Sequence, residues 1–98
     1  MPVVLEVVFP GLSPDQCDQL KAKVGWVEKP PAGGISHIVW WDGDDYHGVD
    51  VWESEEARGA FGSDRMGSAA AELGIRMDVT PTFHQPHEVL IVETVRYP

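Results

Sequence analysis

The sequence predicts an α+β sandwich: one antiparallel sheet with two helices on one face, in the order βαββαβ with an additional C-terminal strand. Three observations carry this. Runs rich in β-branched and aromatic residues recur at 2–9, 35–41, 46–52, 76–83 and 88–96. A serine opens a helical pattern twice, at Ser13 and at Ser54. The pair Asp42-Gly43 stands between the second and third runs and marks a hairpin turn.

Pro2 to Phe9 reads as the first strand, interrupted by Glu6, which lies in phase with Val4 and Val8. A carboxylate in mid-strand hints that one face is not plain core. Leu12-Ser13-Pro14-Asp15-Gln16 then starts a helix: Ser13 caps, Pro14 suits the first turn, and Gln16 completes a capping box. Cys17, Leu20 and Val24 continue one apolar stripe, so Cys17 reads as core rather than nucleophile. Gly25 to Gly33, with Pro30-Pro31, is a loop.

Ser54 caps the second helix, with Glu55 and Glu56 opposing the helix dipole and Ala57 and Phe61 on the inner face. Gly59, Gly62 and Gly67 weaken it and predict a break near Gly62-Ser63-Asp64. Met66, Ala69, Ala70 and Leu73 resume helical spacing, and Gly74-Ile75 fits a C-terminal cap. Arg76 to Phe83 reads as a fourth strand, which Pro81 confines to an edge or a bulge. Glu88 to Arg96 reads as a fifth.

The hairpin from Gly34 to Ser54 holds three of the four tryptophans. A two-residue turn at Asp42-Gly43 sets Trp41 opposite Asp44. A turn at Gly43-Asp44, or a four-residue loop, sets Trp41 opposite Tyr46 and His37 opposite Asp50. Both give the same faces, because a shift by two keeps parity. Ile35, His37, Val39, Trp41, Tyr46, Gly48, Asp50 and Trp52 share one face. Ser36, Ile38, Trp40, His47, Val49 and Val51 share the other, which is aliphatic at its centre. The helices are therefore expected over Val49 and Val51, near Leu20 and Phe61, leaving the His37 face open as a chamber. A His37 found beneath the helices would dispose of this open-face site, leaving Glu6 as the remaining candidate base and Trp52 as core.

The 98 residues make one domain, 1–98, whose core is small for a lone monomer. Sixteen acidic against seven basic residues give a net charge of −9, unsuited to nucleic-acid backbones or anionic membranes. Cys17 is the only cysteine, so no internal disulfide forms. No apolar run approaches the roughly 18 residues of a membrane span. The N-terminus lacks a basic region, so no signal peptide is expected and the location is expected to be cytoplasmic.

In this order of elements, the chain resembles the dimeric α/β-barrel superfamily of ferredoxin-like proteins, from Val3 to about His87. The residues that carry the resemblance are FPGLSPDQ at 9–16, GISH at 34–37, VDVWES at 49–54 with Glu55-Glu56-Ala57, and AELGI at 71–75. VDVWES is similar to the corresponding phrase in antibiotic-biosynthesis-monooxygenase domains. The resemblance implies two sheets packed face to face around a barrel, with a cleft in each protomer between its sheet and helices or loops. Members include cofactor-independent monooxygenases, polyketide cyclases, muconolactone isomerase-like enzymes and haem-degrading proteins. Trp52 occupies the position of the strand tryptophan near their pocket, and His87 stands where a histidine often ends the fourth strand. Phe61 stands where these domains commonly have a histidine, and the chain contains no asparagine.

Acid–base chemistry suits His37 with Asp50, since a carboxylate orients an imidazole. Trp41, Tyr46 and Trp52 would hold a flat apolar substrate by stacking, with Glu6 and His87 as further contacts. No cofactor and no metal are expected: His47 falls on the opposite hairpin face from His37, and His84 and His87 have a loop spacing. Three functions stay open: a small dimeric protein of unassigned reaction that binds an aromatic or apolar molecule, a cofactor-independent monooxygenase or cyclase of an aromatic polyketide-like substrate, and a metal or haem protein. The expected partner is a second copy of the chain, with residues 88–98 a candidate for exchange between protomers.

Overall fold

The computed structural model describes residues 2–91. The elements run β1 (Val3–Pro10), α1 (Pro14–Val24), β2 (Gly34–Asp42), β3 (Asp45–Trp52), α2 (Glu55–Phe61), a π-helical turn (Gly62–Met66), α3 (Gly67–Leu73) and β4 (Thr82–His84). The sheet order is β2-β3-β1-β4, antiparallel throughout. This is the ferredoxin-like arrangement.

The helix signals act as their chemistry requires. The Ser13 hydroxyl accepts from the Gln16 amide at 3.1 Å, and Gln16 Oε1 accepts from the Ser13 amide at 3.0 Å. Gly25 ends α1 at φ 71°, a left-handed conformation that favours glycine. The Ser54 hydroxyl accepts from the Ala57 amide at 3.1 Å. The expected break after Phe61 is instead a change of winding: the Gly67 amide reaches back five residues to Gly62 O. A β-carbon on Gly67 would lie 3.0 Å from that oxygen, so glycine permits the wider turn. The helical rod thus runs from Glu55 to Leu73 without interruption.

The hairpin turns at Gly43-Asp44, with Asp42 opposite Asp45, Trp41 opposite Tyr46 and His37 opposite Asp50. The predicted parity holds along the hairpin except at a bulge between Gly34 and Ser36. Which face the helices cover is the reverse of the expectation. Tyr46, Asp50 and Trp52 are buried, whereas Ile38 is 58% and Trp40 45% exposed. Val49 and Val51 are half-buried on the open side.

The cause lies in β1. Register puts Leu5 beside Asp50 and Glu6 beside Val49. Covering the Val49 face would bury Glu6. Covering the other face buries Val3, Leu5, Phe9, Tyr46 and Trp52 instead, and that larger apolar area outweighs one buried carboxylate that has partners.

Residues 76–81 form no strand, so β4 is the three-residue remnant of the expected fourth strand. Residues 88–91 are also outside any strand, and the rest of the expected fifth strand lies outside the described residues.

Leu5 is fully buried at the centre of the covered face. Leu5→Ala should cost about 2–5 kcal/mol in denaturant unfolding. A cost near zero would mean that this face is not the core.

Candidate functional site

The covered face holds two apolar clusters. One gathers Phe9, Leu12, Leu20, Tyr46, Ala69, Ala70 and Ile75. The other gathers Val3, Trp52 and Phe61, with Trp26, Ala57 and Phe83 against them. Between them the register places one row, His37–Asp50–Leu5, that carries a buried charge.

Asp50 has two side-chain donors. His37 Nδ1 lies 2.6 Å from Oδ1, and Trp52 Nε1 donates to Oδ2 at 3.2 Å. An ionised carboxylate only accepts, so the Nδ1 proton sits between the two groups and Nε2 of a neutral ring keeps its lone pair. The His37 side chain is 25% exposed, against 8% for Asp50. The imidazole is therefore the part of the pair nearer to solvent.

An aromatic wall surrounds the pair. Trp26 lies against His37 with centroids 4.5 Å apart and planes 31° from parallel. Its ring meets Trp52 edge-on at 6.0 Å and Phe61 at 5.1 Å. Trp26 follows the glycine cap of α1, in a loop that Arg65 ties at two points, donating to Val24 O at 2.7 Å and Lys29 O at 2.6 Å.

Arg58, from α2, places its guanidinium 6.0 Å from the Trp52 ring centroid. Burial lowers its pKa, while Asp50 and Tyr46 raise it. Its Nε is buried with no hydrogen-bond partner among the described residues. Its guanidinium passes close to Gly62, where a β-carbon would lie 2.5 Å from Arg58 Nη1. Tyr46 folds over Gly48, where a β-carbon would lie 3.1 Å from the phenol oxygen. Burial raises the Tyr46 pKa well above the ordinary tyrosine value, and the charges of Cys17 and Asp50 add to the rise.

Of the residues singled out from the sequence, His37, Asp50 and Trp52 come together. Tyr46 lies along the same face, beyond Gly48. Trp41 belongs to the other cluster: its Nε1 donates to Leu12 O at 2.7 Å and its ring stands edge-on to Tyr46. The open chamber expected around these five is not there; they lie beneath the helices, with Trp52 fully buried as core. The open-face site is therefore discarded, and what stays of it is the pairing of His37 with Asp50. Glu6 is on the opposite face, paired with His84 Nε2 at 3.0 Å. It lines a shallow groove of about 220 Å³ with Val8, Trp40, His47, Val49 and Thr82. That groove is remote from the His37–Asp50 pair. His87 is exposed beyond the end of β4.

Trp26 and Arg58 were missed by sequence reasoning. Trp26 had one signal, a large apolar residue directly after a helix-ending glycine, a place that often packs back on the core. Arg58 had none beyond its helix.

Cys17 packs against the first cluster, and burial raises its pKa, with Asp18 adding to the rise and Lys21 opposing it. That is a core position. Among the described residues no three His, Cys, Asp or Glu side chains converge as a metal site, and no helix is long and apolar enough to cross a membrane.

Tyr46 gives this face a pH dependence. A phenol whose pKa is raised in the folded state stabilises the fold fully below its unfolded value, about pH 10, and loses that contribution as pH rises through the folded value. Wild-type stability in urea should therefore fall above about pH 10, more steeply than that of Tyr46→Phe. Parallel profiles would show that Tyr46 is not held neutral by burial.

No family model matches the chain, and no curated protein matches it. Likeness is found among solved structures. A candidate antibiotic biosynthesis monooxygenase from Chloroflexus aurantiacus superposes with a TM-score of 0.64 at 21% identity, over 92% of this chain and 97% of that one. A protein of unknown function from Nitrosomonas europaea gives 0.70 at 11% identity, over 95% and 96%. SnoaB, a cofactor-independent oxygenase from Streptomyces nogalater, gives 0.65 at 16% identity, over 91% and 96%. At these identities the likeness is one of fold, and the chain has the ferredoxin-like α+β fold of the antibiotic-biosynthesis-monooxygenase-like structures.

Proposed function

We propose that this chain binds a small flat aromatic molecule between its sheet and its helices, and that His37, oriented by Asp50, takes a proton from it. The observation that carries this reading is Trp26 on His37. The chain already lays a flat bicyclic ring against the imidazole, 4.5 Å away, with Trp52 and Phe61 edge-on around it. When Trp26 swings out, the space it leaves has the shape of an aromatic ligand, and its floor is the His37–Asp50 pair. A phenol bound there would meet the Nε2 lone pair of His37, while Asp50 stabilises the imidazolium that forms.

Deprotonation is the only step that the chain's own residues need to supply for substrate-driven oxygenation. The fold shared with SnoaB, a cofactor-independent oxygenase, supports such a reaction as the second, finer reading.

The protein acts as a homodimer in this proposal. Val8, Ile38 and Trp40 form an exposed apolar patch on the open face of the sheet, large enough side chains to favour a partner over water. A second sheet packed there would close a barrel around the groove that Glu6 lines. Leu90, 83% exposed, is a further apolar side chain that a partner would cover.

Two measurements test these readings. 2-Naphthol should bind Trp26→Ala about tenfold or more tightly than wild type, because the ring it must displace is gone. The naphtholate absorbance band should appear in the wild-type complex at a pH where free naphthol is neutral, and vanish in His37→Gln and Asp50→Asn. Equal affinity in Trp26→Ala would sink the cleft; an unaltered band in His37→Gln would sink the base. Sedimentation should give a dimer for wild type and a monomer for Trp40→Glu. A wild-type monomer at micromolar concentration would rule out the barrel.

A further inference from the structure

We infer that Arg58 binds the anionic group of the ligand, and that the ligand is therefore an aromatic oxyanion: a ring carrying a carboxylate or an ionised hydroxyl. The inference rests on the cleft reading above and adds to it the charge of what enters.

A guanidinium keeps its charge at neutral pH. Arg58 Nε is nevertheless buried without an acceptor among the described residues. A buried charged donor left unpaired is costly, and natural proteins seldom keep one without a use. The carboxylate nearest in its electrostatics is Asp50, which opposes the effect of burial on Arg58. Asp50 is engaged by His37 Nδ1 and Trp52 Nε1, one on each oxygen. Nε therefore has no acceptor from this pair.

The location fits the aromatic wall. Arg58 stands over the Trp52 ring, and Trp52 meets the Trp26 ring edge-on. Arg58 and Trp26 thus meet the same indole, that of Trp52. At position 62 a β-carbon would lie 2.5 Å from Arg58 Nη1, so a larger residue there would shift the guanidinium.

Charge counting points the same way. With His37 neutral, Asp50 and Arg58 cancel. Once His37 has taken a proton the cluster carries one net positive charge, and an oxyanion on the ring restores neutrality. The chain as a whole carries a net charge of −9, so its long-range field repels anions. The local charge of the Arg58 guanidinium is what would admit one.

Calorimetric titration of full-length protein with 2-naphthoate and with 2-naphthalenemethanol, its neutral counterpart, tests this. Wild type should prefer the acid. Arg58→Gln should lose about tenfold or more in affinity for 2-naphthoate, as expected for a hydrogen bond to a charged group, and keep its affinity for the alcohol. Arg58→Lys, which retains charge without the Nε donor, should fall between the two; if Arg58→Gln does not fold, an unweakened Arg58→Lys overturns the inference. The naphtholate band of bound 2-naphthol distinguishes the two kinds of oxyanion. Its loss in Arg58→Gln together with naphthoate binding assigns Arg58 to both; its retention assigns Arg58 to carboxylates. Equal wild-type affinity for acid and alcohol, unchanged naphthoate binding in Arg58→Gln, or equal loss of both ligands overturns the role of Arg58 and leaves the cleft standing. Binding of neither probe to wild type overturns both.

Discussion

The Asp50 carboxylate is the constraint around which the covered face of the sheet is arranged. A charge at that depth is tolerated only with donors in place, and two strands supply them. The His37 imidazole comes from the neighbouring strand at the directly opposite position, and the Trp52 indole comes from two residues along the same strand. A shift of the hairpin by one residue would turn His37 to the face opposite Asp50, whereas Trp52, on the same strand as Asp50, would stay with it. The His37 bond therefore fixes the register, and the two bonds together hold the charge. The His37 bond also sets which nitrogen of the neutral ring carries the proton, and so which one keeps its lone pair.

The neighbours of this row accommodate it rather than fill it. Gly48 leaves the place over which Tyr46 folds, and the Arg58 guanidinium passes close to Gly62. The π-helical turn then carries the rod on toward Ala69 and Ala70, which sit in the other apolar cluster. Small residues and a widened turn let a helix pass over bulky polar side chains that a regular helix of larger residues would displace.

Much of this was legible in the sequence. Ser13, Gln16, Ser54 and Gly74 act locally, and their effects on the helices were readable because capping depends on a few adjacent residues. The pairing of His37 with Asp50 followed from parity and a turn length. The choice of covered face did not, because it is settled by a third strand: Glu6 decides it through its register against Val49, which no local pattern reveals. The break expected at Gly62 became a π-helical turn for a similar reason, since packing at both ends holds the helix together where its propensity is poor. Trp26 and Arg58 escaped notice because their roles arise from contacts across loop, helix and sheet.

The Arg65 clamp has a consequence for how anything reaches His37. Its two bonds, to Val24 O and Lys29 O, hold the chain on either side of Trp26. The backbone between them is pinned, so any displacement of the indole would be on its own side-chain torsions and not as part of a swinging loop. Rotations of this kind are fast and small, on the order of picoseconds to nanoseconds for exposed side chains and slower where neighbours must yield. Admission would then be a matter of which rotamer the indole occupies. A visitor would be selected by the width of a single ring, while the frame around it stays still.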